Sequence, residues 1–467
     1  MMPSDRAAKR GVNRPDNTAF AGQRIAVVGL GRAGLPAARR LREWGADVTC
    51  WDDGEAARAE ALAQGLTVAN PAERFEFDAL LLSPGIPHTL PRAHPAAAAA
   101  RAAGKPILAD VEFLFRAVRA SGSQARFVGI TGTNGKSTTT ALLAHLLTRA
   151  GIEVEVGGNL GRAALDMRIL GKGGVYVLEM SSYMLERIAD LRFNVAAMLN
   201  LSPDHLDRHG DMEGYLAAKA RIFARQTPED VAVLGQDDAA TASLRGGLNA
   251  TCMPVSGATP QPGGIWAEGH LLRDAAGAIA DLSTCPTLPG THNAQNAAAA
   301  SAMALALGLP RAAIAGGLQT YPGLPHRQEM VGRIGKLRFV NDSKATNADS
   351  AARALASYGR ILWIAGGTGK EGGIAPLAEY FPRIAEAFLI GRDAPAFAET
   401  LAAHGVAHRI CGTLAEAVPA ALHAARNGAA DVILLSPAAA SWDQFTGFDA
   451  RGDAFRALVR ALPGVTL

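Results

Sequence analysis

The amino-acid sequence predicts an α/β protein of three domains, each built around a mainly parallel β-sheet. The chain has 467 residues, about three times the roughly 150 residues of a typical domain. Short β-branched apolar runs alternate with helical patterns in three successive segments, as in parallel sheets covered by helices. Glycine-rich turns directly follow several of the apolar runs, at the strand ends where such folds bind ligands.

Interruptions of this alternation indicate the domain boundaries. The small polar run SGSQA at 121–125 separates one α/β pattern from the next. The stretch 246–290 is rich in Gly, Pro and Thr, and we expect it to be an irregular excursion within the second pattern. The expected segments are a mobile tail at 1–20, a first domain at 21–120, a central domain at 121–322 and a C-terminal domain at 323–467.

Composition excludes several classes of protein. The net charge is only +3, without a block of basic residues, so no nucleic-acid partner is expected. The four cysteines are widely scattered, which fits a reducing cytoplasm. The first 20 residues lack the apolar core of a signal peptide, and the nearly apolar run 297–309 is too short to span a bilayer. We therefore expect a cytoplasmic protein with no membrane span.

The stretch GITGTNGKSTTT at 129–140 resembles a phosphate-binding loop with altered spacing. The usual pattern G-x-x-x-x-G-K-[ST] would place its first glycine at Ile130. A strand still precedes the loop and a helix follows it, so backbone amides can bind phosphate at the helix N-terminus. Lys136 is then expected to reach the β- and γ-phosphates, and Ser137 or Thr138 to hold Mg²⁺. The alternative is an ordinary tight turn with a solvated lysine.

A second glycine motif opens the first domain. Gly29, Gly31 and Gly34 form G-x-G-x-x-G between a strand and a helix, and Asp52 and Asp53 end the next strand. This pattern is a dinucleotide fingerprint, with an acid placed to bind a ribose. Alone it favours NAD, but the phosphates it binds could belong to any nucleotide diphosphate.

Candidate metal ligands follow the strands of the central domain. Glu179 ends a buried strand, at the edge where a carboxylate can bind Mg²⁺, although a structural ion pair is the alternative. Lys219 lies on a predicted helix, where most lysines are solvated. The turn SPDHLDRHG at 202–210 suggests a metal or phosphate site or a polar helix cap, and its candidate side chains are Asp204, His205, Asp207 and His209.

Polar loops also follow strands of the C-terminal domain. The loop GGTGKEGG at 366–373 carries Lys370, a cation among backbone amides that suits a carboxylate ligand, although a flexible turn is the alternative. The loops NDSKATN and SPAAASWDQFTGF supply further candidates, which are Asp342, Ser343, Lys344, Thr346, Ser441, Asp443, Gln444 and Phe448.

Taken together and in this order, these motifs resemble the Mur ligases of peptidoglycan synthesis. The resemblance rests on GITGTNGKSTTT, LEMSSY, DHLDRHG, HNAQN, LPHR, NDSKATN, GGTGKEGG and SPAAASWDQF, and it covers nearly the whole chain after residue 20. It implies a Rossmann-like N-terminal domain, a P-loop ATPase-like central domain and a Rossmann-like C-terminal domain. It also implies that the N-terminal fingerprint binds UDP and not NAD.

The activity implied by the resemblance is an ATP-dependent ligation. Glutamate, as its D-isomer, would be joined to UDP-N-acetylmuramoyl-L-alanine through an acyl phosphate. The implied cofactors are ATP, two Mg²⁺ ions and CO₂ as a carbamate on Lys219. A monomer that acts only on small-molecule substrates is expected.

The resemblance also assigns roles to individual residues. The ATP-binding residues would be Gly132, Thr133, Asn134, Gly135, Lys136, Ser137, Thr138, Asn296, Arg327 and Asp342. The metal ligands would be Ser137, Glu179, His205 and the carbamate of Lys219, and the catalytic set would be Lys136, Glu179, His205 and Lys219. The UDP-substrate would contact Gly31, Arg32, Ala33, Asp52, Asp53, Gly85 and Asn159. Glutamate would contact Lys344, Thr346, Lys370, Ser441 and Phe448.

Two positions depart from the family pattern. Met184 stands where the family usually has Gln, so an amide contact to the UDP-substrate is missing or replaced. Ala439 stands where the family often has Cys, with little expected effect.

Four other functions compete with this interpretation. They are a sibling ligase for another amino acid, a folylpolyglutamate synthase, an NAD-dependent dehydrogenase with an accessory nucleotide loop, and a non-catalytic nucleotide-binding regulator.

Overall fold

The computed structural model describes residues 18–73, 76–159, 161–370, 372–426 and 430–466. It contains three sheets flanked by helices, as predicted. Most of the expected tail lies outside the described residues. Phe20 is buried against Trp44 and Phe113, so the N-terminal domain includes Phe20.

The first sheet is entirely parallel and has the order β3-β2-β1-β4-β5. Strand order reverses between β1 and β4, and the crevice at such a point is where open α/β sheets bind ligands. Its strands are β1 (Arg24–Val28), β2 (Asp47–Trp51), β3 (Thr67–Val68), β4 (Ala79–Leu82) and β5 (Ile107–Leu108). Its helices are α1 (Gly34–Glu43), α2 (Glu55–Ala63), α3 (Pro95–Ala102) and α4 (Asp110–Ala120).

The second sheet has the order β14-β13-β12-β11-β10-β9-β6-β8-β7 and is parallel from β12 to β7. Strand β6 lies between β9 and β8. The strands are β6 (Arg126–Thr131), β7 (Val154–Gly158), β8 (Val175–Glu179), β9 (Val195–Met198), β10 (Val231–Gly235), β11 (Thr251–Ser256), β12 (Ile265–Glu268), β13 (Leu271–Asp274) and β14 (Gly277–Asp281). The helices are α5 (Lys136–Arg149), α6 (Ser182–Leu185), α7 (Leu206–His209), α8 (Met212–Ala220), α9 (Ala239–Ala242), α10 (Thr291–Ala306) and α11 (Arg311–Gln319).

The stretch 246–290 is not irregular, and this prediction from composition was wrong. It contains the four strands β11 to β14. Glycines with positive φ lie between β11 and β12 at Gly263, between β12 and β13 at Gly269, and at the start of β14 at Gly277. The glycines and prolines therefore indicate tight turns between short strands and not a lack of structure.

The third sheet has the order β15-β16-β20-β17-β18-β19, and only the edge pair β15–β16 is antiparallel. The strands are β15 (Glu329–Ile334), β16 (Leu337–Asn341), β17 (Ile361–Gly366), β18 (Ile384–Ile390), β19 (His408–Gly412) and β20 (Val432–Leu435). The helices are α12 (Ala348–Ala356), α13 (Ala394–Ala403), α14 (Leu414–Ala425) and α15 (Phe448–Arg460). Single turns of 3₁₀ helix complete the fold at Ala164–Asp166, Arg221–Phe223, Ser243–Gly247 and Leu282–Thr284, with a longer one at Ala375–Arg383.

The chain divides into two compact units. The first comprises the described residues up to Trp266 together with Asp274–Gly277 and Ala298–Ile314. It holds the first sheet and the parallel part of the second, which share one apolar core. The second unit comprises Ala267–Arg273, Ala278–Ala297 and the described residues from Ala315 onward, and it holds the third sheet. None of the described helices combines the length and apolar character needed to cross a bilayer.

Candidate active site

The phosphate-binding loop has the predicted geometry. It joins the carboxyl end of β6 to the 14-residue helix α5, which begins at Lys136. Gly135 caps the helix at φ 82°, and Gly132 lies at φ 145°. The backbone angle of Gly132 is one that other residues rarely adopt, and a Cβ there would lie 3.1 Å from the Cβ of Leu199, so the position favours glycine. The loop therefore presents the N-terminus of a long helix to an anion.

Lys136 folds back into its own loop. Its Nζ donates to the carbonyl oxygens of Gly132 at 2.8 Å and Thr133 at 2.7 Å. Ser137 and Thr138 follow on the first turn of α5 and are 6% and 7% exposed. These three residues, which were predicted to hold phosphate and Mg²⁺, thus lie together at the N-terminus of α5.

Asn200 holds this loop, and sequence reasoning missed it. Its Oδ1 accepts from the backbone N–H of Asn134 at 2.9 Å, and its Nδ2 donates to the carbonyl oxygen of Asn134 at 3.2 Å. The backbone N–H of Thr133 also donates to the carbonyl oxygen of Asn200, at 2.9 Å. The only signal in the sequence is a polar residue just after the buried strand β9.

Glu179 ends β8 beside the phosphate-binding loop and is 2% exposed. Its Oε1 accepts from Asn159 Nδ2 at 2.6 Å, and Asn159 N donates to the carbonyl oxygen of Glu179 at 2.9 Å. Its Oε2 is buried and has no hydrogen-bond partner among the described residues. An unsatisfied buried carboxylate oxygen is costly, and a bound cation would remove that cost.

Lys219 does not have the solvated position that its helix suggests. It lies on α8 and is 1% exposed. Its Nζ donates to the carbonyl oxygen of Gly132 at 2.9 Å and lies 4.7 Å from the ring centre of Tyr215. Burial, and then the nearby Lys136 ammonium, lower the pKa of Lys219 well below its usual value. The side chain is therefore a candidate neutral amine.

His205 lies in the turn before α7, in a left-handed conformation with φ 55°. Its ring packs 5.0 Å from that of Tyr183, and its Nε2 lies 3.4 Å from Asp204 Oδ2. Burial lowers the pKa of His205, and the charges of Lys219 and Lys136 lower it further. The imidazole is therefore neutral near pH 7, as metal ligation requires.

The other polar residues of this turn have structural contacts. His209 is 1% exposed in its side chain, and its Nε2 lies 2.9 Å from Ser182 Oγ. Asp204 accepts from the backbone N–H of His205 at 3.0 Å. Among the described residues, no three His, Cys, Asp or Glu side chains cluster as a metal site. Glu179 and His205 are the two candidate ligands of these types that the resemblance predicts.

The first domain has a cavity of about 410 Å³ at the reversal point of its sheet. A Cβ at Gly34 would lie 1.8 Å from the carbonyl oxygen of Gly29, so the close approach of α1 to the loop requires glycine. Ser83 Oγ donates to the same carbonyl oxygen at 2.7 Å. The cavity is lined by the predicted residues Gly31, Arg32, Ala33, Asp52 and Asp53, together with Val28, Gly29, Ser83, Pro84, Ile86 and His94. Gly85, also predicted, is exposed in the same segment.

The two acids at the end of β2 differ in their contacts. Both oxygens of Asp52 accept from backbone amides, those of Leu30 at 2.7 Å and Gly54 at 2.8 Å. Asp53 is 76% exposed in its side chain and lies 3.3 Å from His94 Nε2. Asp52 therefore shapes the loop, and Asp53 is the acid available to a ligand.

In the second unit, Asp342 follows β16 and is buried. Its Oδ2 accepts from Ser436 Oγ at 2.7 Å, and its Oδ1 accepts from the backbone N–H of Gln328 at 3.1 Å. Burial raises the pKa of Asp342 to about 7, although Arg327 opposes the shift. The Nε of Arg327 is buried and has no hydrogen-bond partner among the described residues. The third predicted residue, Asn296, donates from its Nδ2 to Asn293 Oδ1 at 3.1 Å.

The expected amino-acid pocket combines three loops of the third sheet. Lys344 Nζ lies 5.4 Å from the ring centre of Phe448, where α15 begins. Thr368 in the GGTGK loop and Ala440 exchange backbone hydrogen bonds of 2.8 and 2.9 Å, next to the buried Ser441. Lys370 is exposed, and Thr346 is half-buried. Two further candidates have structural roles, since Asp443 accepts from the backbone of Arg392 and Gln444 donates to the carbonyl oxygen of Gly412.

Arg451 joins these loops, and sequence reasoning missed it as well. It lies on α15 and is 1% exposed. Its guanidinium donates to Ser343 Oγ at 3.0 Å, to the carbonyl oxygen of Ser343 at 2.9 Å and to that of Ala439 at 3.0 Å. Burial lowers the pKa of Arg451 to about 10. A buried charge thus holds two of the predicted substrate loops by their backbones.

The two departures from the family pattern lie in apolar surroundings. Met184 is 2% exposed within the core of the first unit. Ala439 is fully buried in the core of the second. Neither side chain offers a polar contact to a substrate.

Three segments of the chain match models of known protein families. Residues 130–304 match the Mur ligase middle domain, and residues 326–439 match the Mur ligase, glutamate ligase domain. Residues 24–81 match the NAD binding domain of 6-phosphogluconate dehydrogenase, which agrees with the Rossmann-like N-terminal fold.

Individual proteins match over almost the whole chain. A UDP-N-acetylmuramoylalanine–D-glutamate ligase of Caulobacter vibrioides is 48% identical over 95% of this chain and 97% of its own. One of Paramagnetospirillum magneticum is 49% identical over 94% of this chain and 97% of its own.

Solved structures show the same fold at low identity. The UDP-N-acetylmuramate-alanine ligase MurC of Thermotoga maritima has a TM-score of 0.58 and 18% identity, covering 94% of this chain and 99% of that one. MurF of Acinetobacter baumannii has a TM-score of 0.53 and 23% identity, covering 70% and 77%. The predicted fold class is confirmed, and with the sequence identities above the chain belongs to the Mur ligase family.

Proposed function

We propose that this protein joins D-glutamate to UDP-N-acetylmuramoyl-L-alanine with the hydrolysis of ATP, in the synthesis of peptidoglycan precursors. The observation that carries the substrate assignment is the 48–49% identity, over about 95% of the chain, to ligases that bear this name. The site chemistry supports ligation independently, since a phosphate-binding loop, a buried carboxylate and a buried amine meet at one sheet edge.

The phosphate-binding loop is the proposed ATP site. The amides at the start of α5 bind the phosphates, and Lys136 leaves its loop carbonyls to bind the β- and γ-phosphates. Asp342, Arg327 and Asn296 are proposed to contact ribose, phosphate and adenine. The unpaired buried Nε of Arg327 supports a role in binding an anion.

Two Mg²⁺ ions are proposed to act with ATP, and they would neutralise charge between the phosphates and the acceptor carboxylate. Ser137, Glu179 and His205 are the proposed protein ligands. The orphaned Oε2 of Glu179 and the neutral ring of His205 fit this role. Lys219 is proposed to supply the remaining ligand as a carbamate, because its depressed pKa leaves a neutral amine that can add to CO₂.

The two other substrates are assigned to separate sites. The cavity of the first domain, with Asp53 at its rim, is proposed to hold the UDP moiety, and Asn159 to contact the muramoyl group. The glutamate is assigned to Lys344, Thr346, Lys370, Ser441 and Phe448. The two lysines suit an amino acid with two carboxylates.

The reaction then has two steps. An oxygen of the acceptor carboxylate attacks the γ-phosphorus of ATP, and ADP leaves. The glutamate amine next attacks the acyl carbon, loses a proton, and expels inorganic phosphate from a tetrahedral intermediate. Neither step needs a protein nucleophile, so the residues act by positioning and charge neutralisation. We propose that the protein does this as a cytoplasmic monomer.

An amino-acid panel tests the proposal. Purified protein is mixed with ATP, Mg²⁺ and UDP-N-acetylmuramoyl-L-alanine, and phosphate release is measured with D-glutamate, L-glutamate, L-alanine or glycine. Release is expected with D-glutamate alone, and only when the acceptor is present. Release that ignores both substrates contradicts ligation, and preference for another amino acid indicates a sibling ligase.

The remaining alternatives give different results in the same experiments. A dehydrogenase would bind NADH, which the match of residues 24–81 to an NAD-binding model makes worth measuring. A folylpolyglutamate synthase would use a folate acceptor, and the UDP-type cavity argues against it. A non-catalytic regulator would show the same low turnover in wild type and in Lys136→Ala.

A further inference from the structure

Arg187 is a buried arginine whose side-chain hydrogen bonds go to the end of β4 and to the segment that follows it. It follows α6 and is 1% exposed. Its Nη1 donates to the carbonyl oxygens of Leu82 at 3.0 Å and Ser83 at 2.9 Å. Its Nη2 donates to the carbonyl oxygen of Ile86 at 2.5 Å, and its Nε to His88 Nδ1 at 3.3 Å. One guanidinium from the central domain therefore fixes residues 82–88 of the first domain.

This segment forms one wall of the proposed UDP cavity. Ser83, Pro84 and Ile86 line the cavity opposite the glycine loop. Ser83 also bonds to that loop through the carbonyl oxygen of Gly29. The segment has no helix or strand of its own between β4 and α3, so its conformation depends on such contacts.

A second arginine supports the same segment from another loop. Arg208 Nη1 donates to the carbonyl oxygen of Gly85 at 3.2 Å, and its guanidinium stacks 4.3 Å from the ring centre of Tyr183. Arg208 lies in α7, directly after the candidate metal ligand His205. Arg187 in turn follows the α6 turn that begins just after Glu179.

Burial of a guanidinium without a hydrogen-bonded carboxylate has a large desolvation cost. Burial lowers the pKa of Arg187 to about 10. The pKa of His88 is lowered to about 4 by burial and by Arg187, so its ring stays neutral and accepts the hydrogen bond. An apolar residue of similar size could fill the core equally well. What only an arginine can do here is hold residues 82–88 in one orientation through several hydrogen bonds.

We propose that Arg187 is a positioning residue for the nucleotide-sugar acceptor, with Arg208 as its weaker partner. It acts by holding the cavity wall at residues 82–88 to the elements that carry Glu179 and His205, so that the acceptor carboxylate is aligned with the metal and phosphate site. This inference rests on the proposed function for the identity of the acceptor.

The test compares Arg187→Lys, Arg187→Gln and Arg208→Lys with Arg119→Lys as the matched control. Arg119 also donates to two backbone carbonyls, those of Ser123 at 2.9 Å and Ala125 at 3.0 Å, but it does not line the cavity. Binding of UDP-N-acetylmuramoyl-L-alanine and of UDP alone is measured by calorimetry without ATP. The KM values for acceptor, ATP and D-glutamate are measured separately.

Arg187→Lys and Arg187→Gln are expected to raise the acceptor dissociation constant and KM by about tenfold or more, since several hydrogen bonds are lost. Arg208→Lys loses one bond and should raise them about fivefold. The KM for D-glutamate should change less than twofold, and Arg119→Lys should bind acceptor as wild type does. If Arg187→Lys does not fold, Arg208→Lys and the folded control decide the question.

Wild-type acceptor binding in a folded Arg187→Lys protein would overturn the inference. An equal loss for all three substrates would overturn it too, because that result indicates a general structural role. A wild-type protein that binds UDP and the acceptor but forms no product would contradict the proposed function alone. The acceptor dissociation constants of wild type and the Arg187 variants would still test the role of Arg187. A wild-type protein that binds neither would overturn the inference.

Discussion

Lys136 and Lys219 donate hydrogen bonds to the same acceptor, the carbonyl oxygen of Gly132, at 2.8 Å and 2.9 Å. Two ammonium groups this close repel each other, and the buried one is the cheaper to neutralise. Burial lowers the pKa of Lys219 well below its usual value, and this repulsion lowers it further. A carbamate on Lys219 would replace the repulsion by attraction to Lys136.

Carbamate formation can be observed directly. Wild-type protein equilibrated with ¹³C-bicarbonate near pH 8 should show a ¹³C NMR carbamate resonance, because burial and the Lys136 charge both favour the neutral amine of Lys219, the form that adds to CO₂. The resonance should be absent in Lys219→Arg and weaker in Lys136→Met, which removes the cation that would compensate the carbamate charge while Lys219 stays buried. An equal resonance in Lys219→Arg would place the carbamate elsewhere.

Asn200 is expected to control ATP affinity. Asn200→Ala removes two side-chain hydrogen bonds to Asn134 and should raise the KM for ATP about thirtyfold, at about 1 kcal/mol for each bond. Asn200→Asp keeps one acceptor but loses the donor, so its defect should be of similar or intermediate size. The exposed Asn249 of the same domain, changed to Ala, is the control. An ATP KM that is the same in all of these variants would contradict the role of Asn200.

Arg451 is expected to affect glutamate more than the acceptor. Arg451→Lys cannot span Ser343 and Ala439 together, so the two loops should lose their common support. The KM for D-glutamate should rise about tenfold, with a much smaller change for the acceptor. The exposed Arg409, changed to Lys, is the control in the same domain. A larger effect on the acceptor than on glutamate would count against this assignment.

Asp342 is expected to make stability depend on pH. Its pKa of about 7 in the folded protein exceeds the value of about 4 in an unfolded chain. The folded state therefore binds the extra proton between these values, and stability from this group is lost as the pH rises from about 4 to 7. The three-unit difference corresponds to at most about 4 kcal/mol.

The measurement is the difference in melting temperature between wild type and Asp342→Asn at several pH values. The amide has no charge to bury, so wild type should lose stability relative to the variant as the pH rises from about 4 to about 7. A difference that does not change with pH would show that Asp342 titrates normally.

The motifs that follow strands were predictable from sequence, because parallel sheets bring strand ends to one edge. Glu179 and the loop of Lys136 were placed correctly for that reason. Lys219 looked like a solvated lysine, since its helix pattern does not show that α8 turns this residue into the core. Only the family resemblance identified it beforehand.

The supporting residues could not be predicted in this way. Asn200, Arg187 and Arg451 all bind backbone groups that are distant in sequence, and such contacts leave no local pattern. The strands in 246–290 were missed because their turn residues dominate the composition. The sequence also could not distinguish the roles of Asp52 and Asp53. Only the structure shows which of the two carboxylates accepts hydrogen bonds from the backbone amides of the loop.

An isotope experiment tests the central claim, that the acceptor carboxylate is phosphorylated before glutamate is joined to it. The acceptor is prepared with ¹⁸O in both oxygens of its alanyl carboxylate and is turned over with ATP and D-glutamate. Mass spectrometry of the inorganic phosphate should show one ¹⁸O per product formed, with the other retained in the new amide. Unlabelled phosphate, or release of AMP and pyrophosphate, would contradict the account.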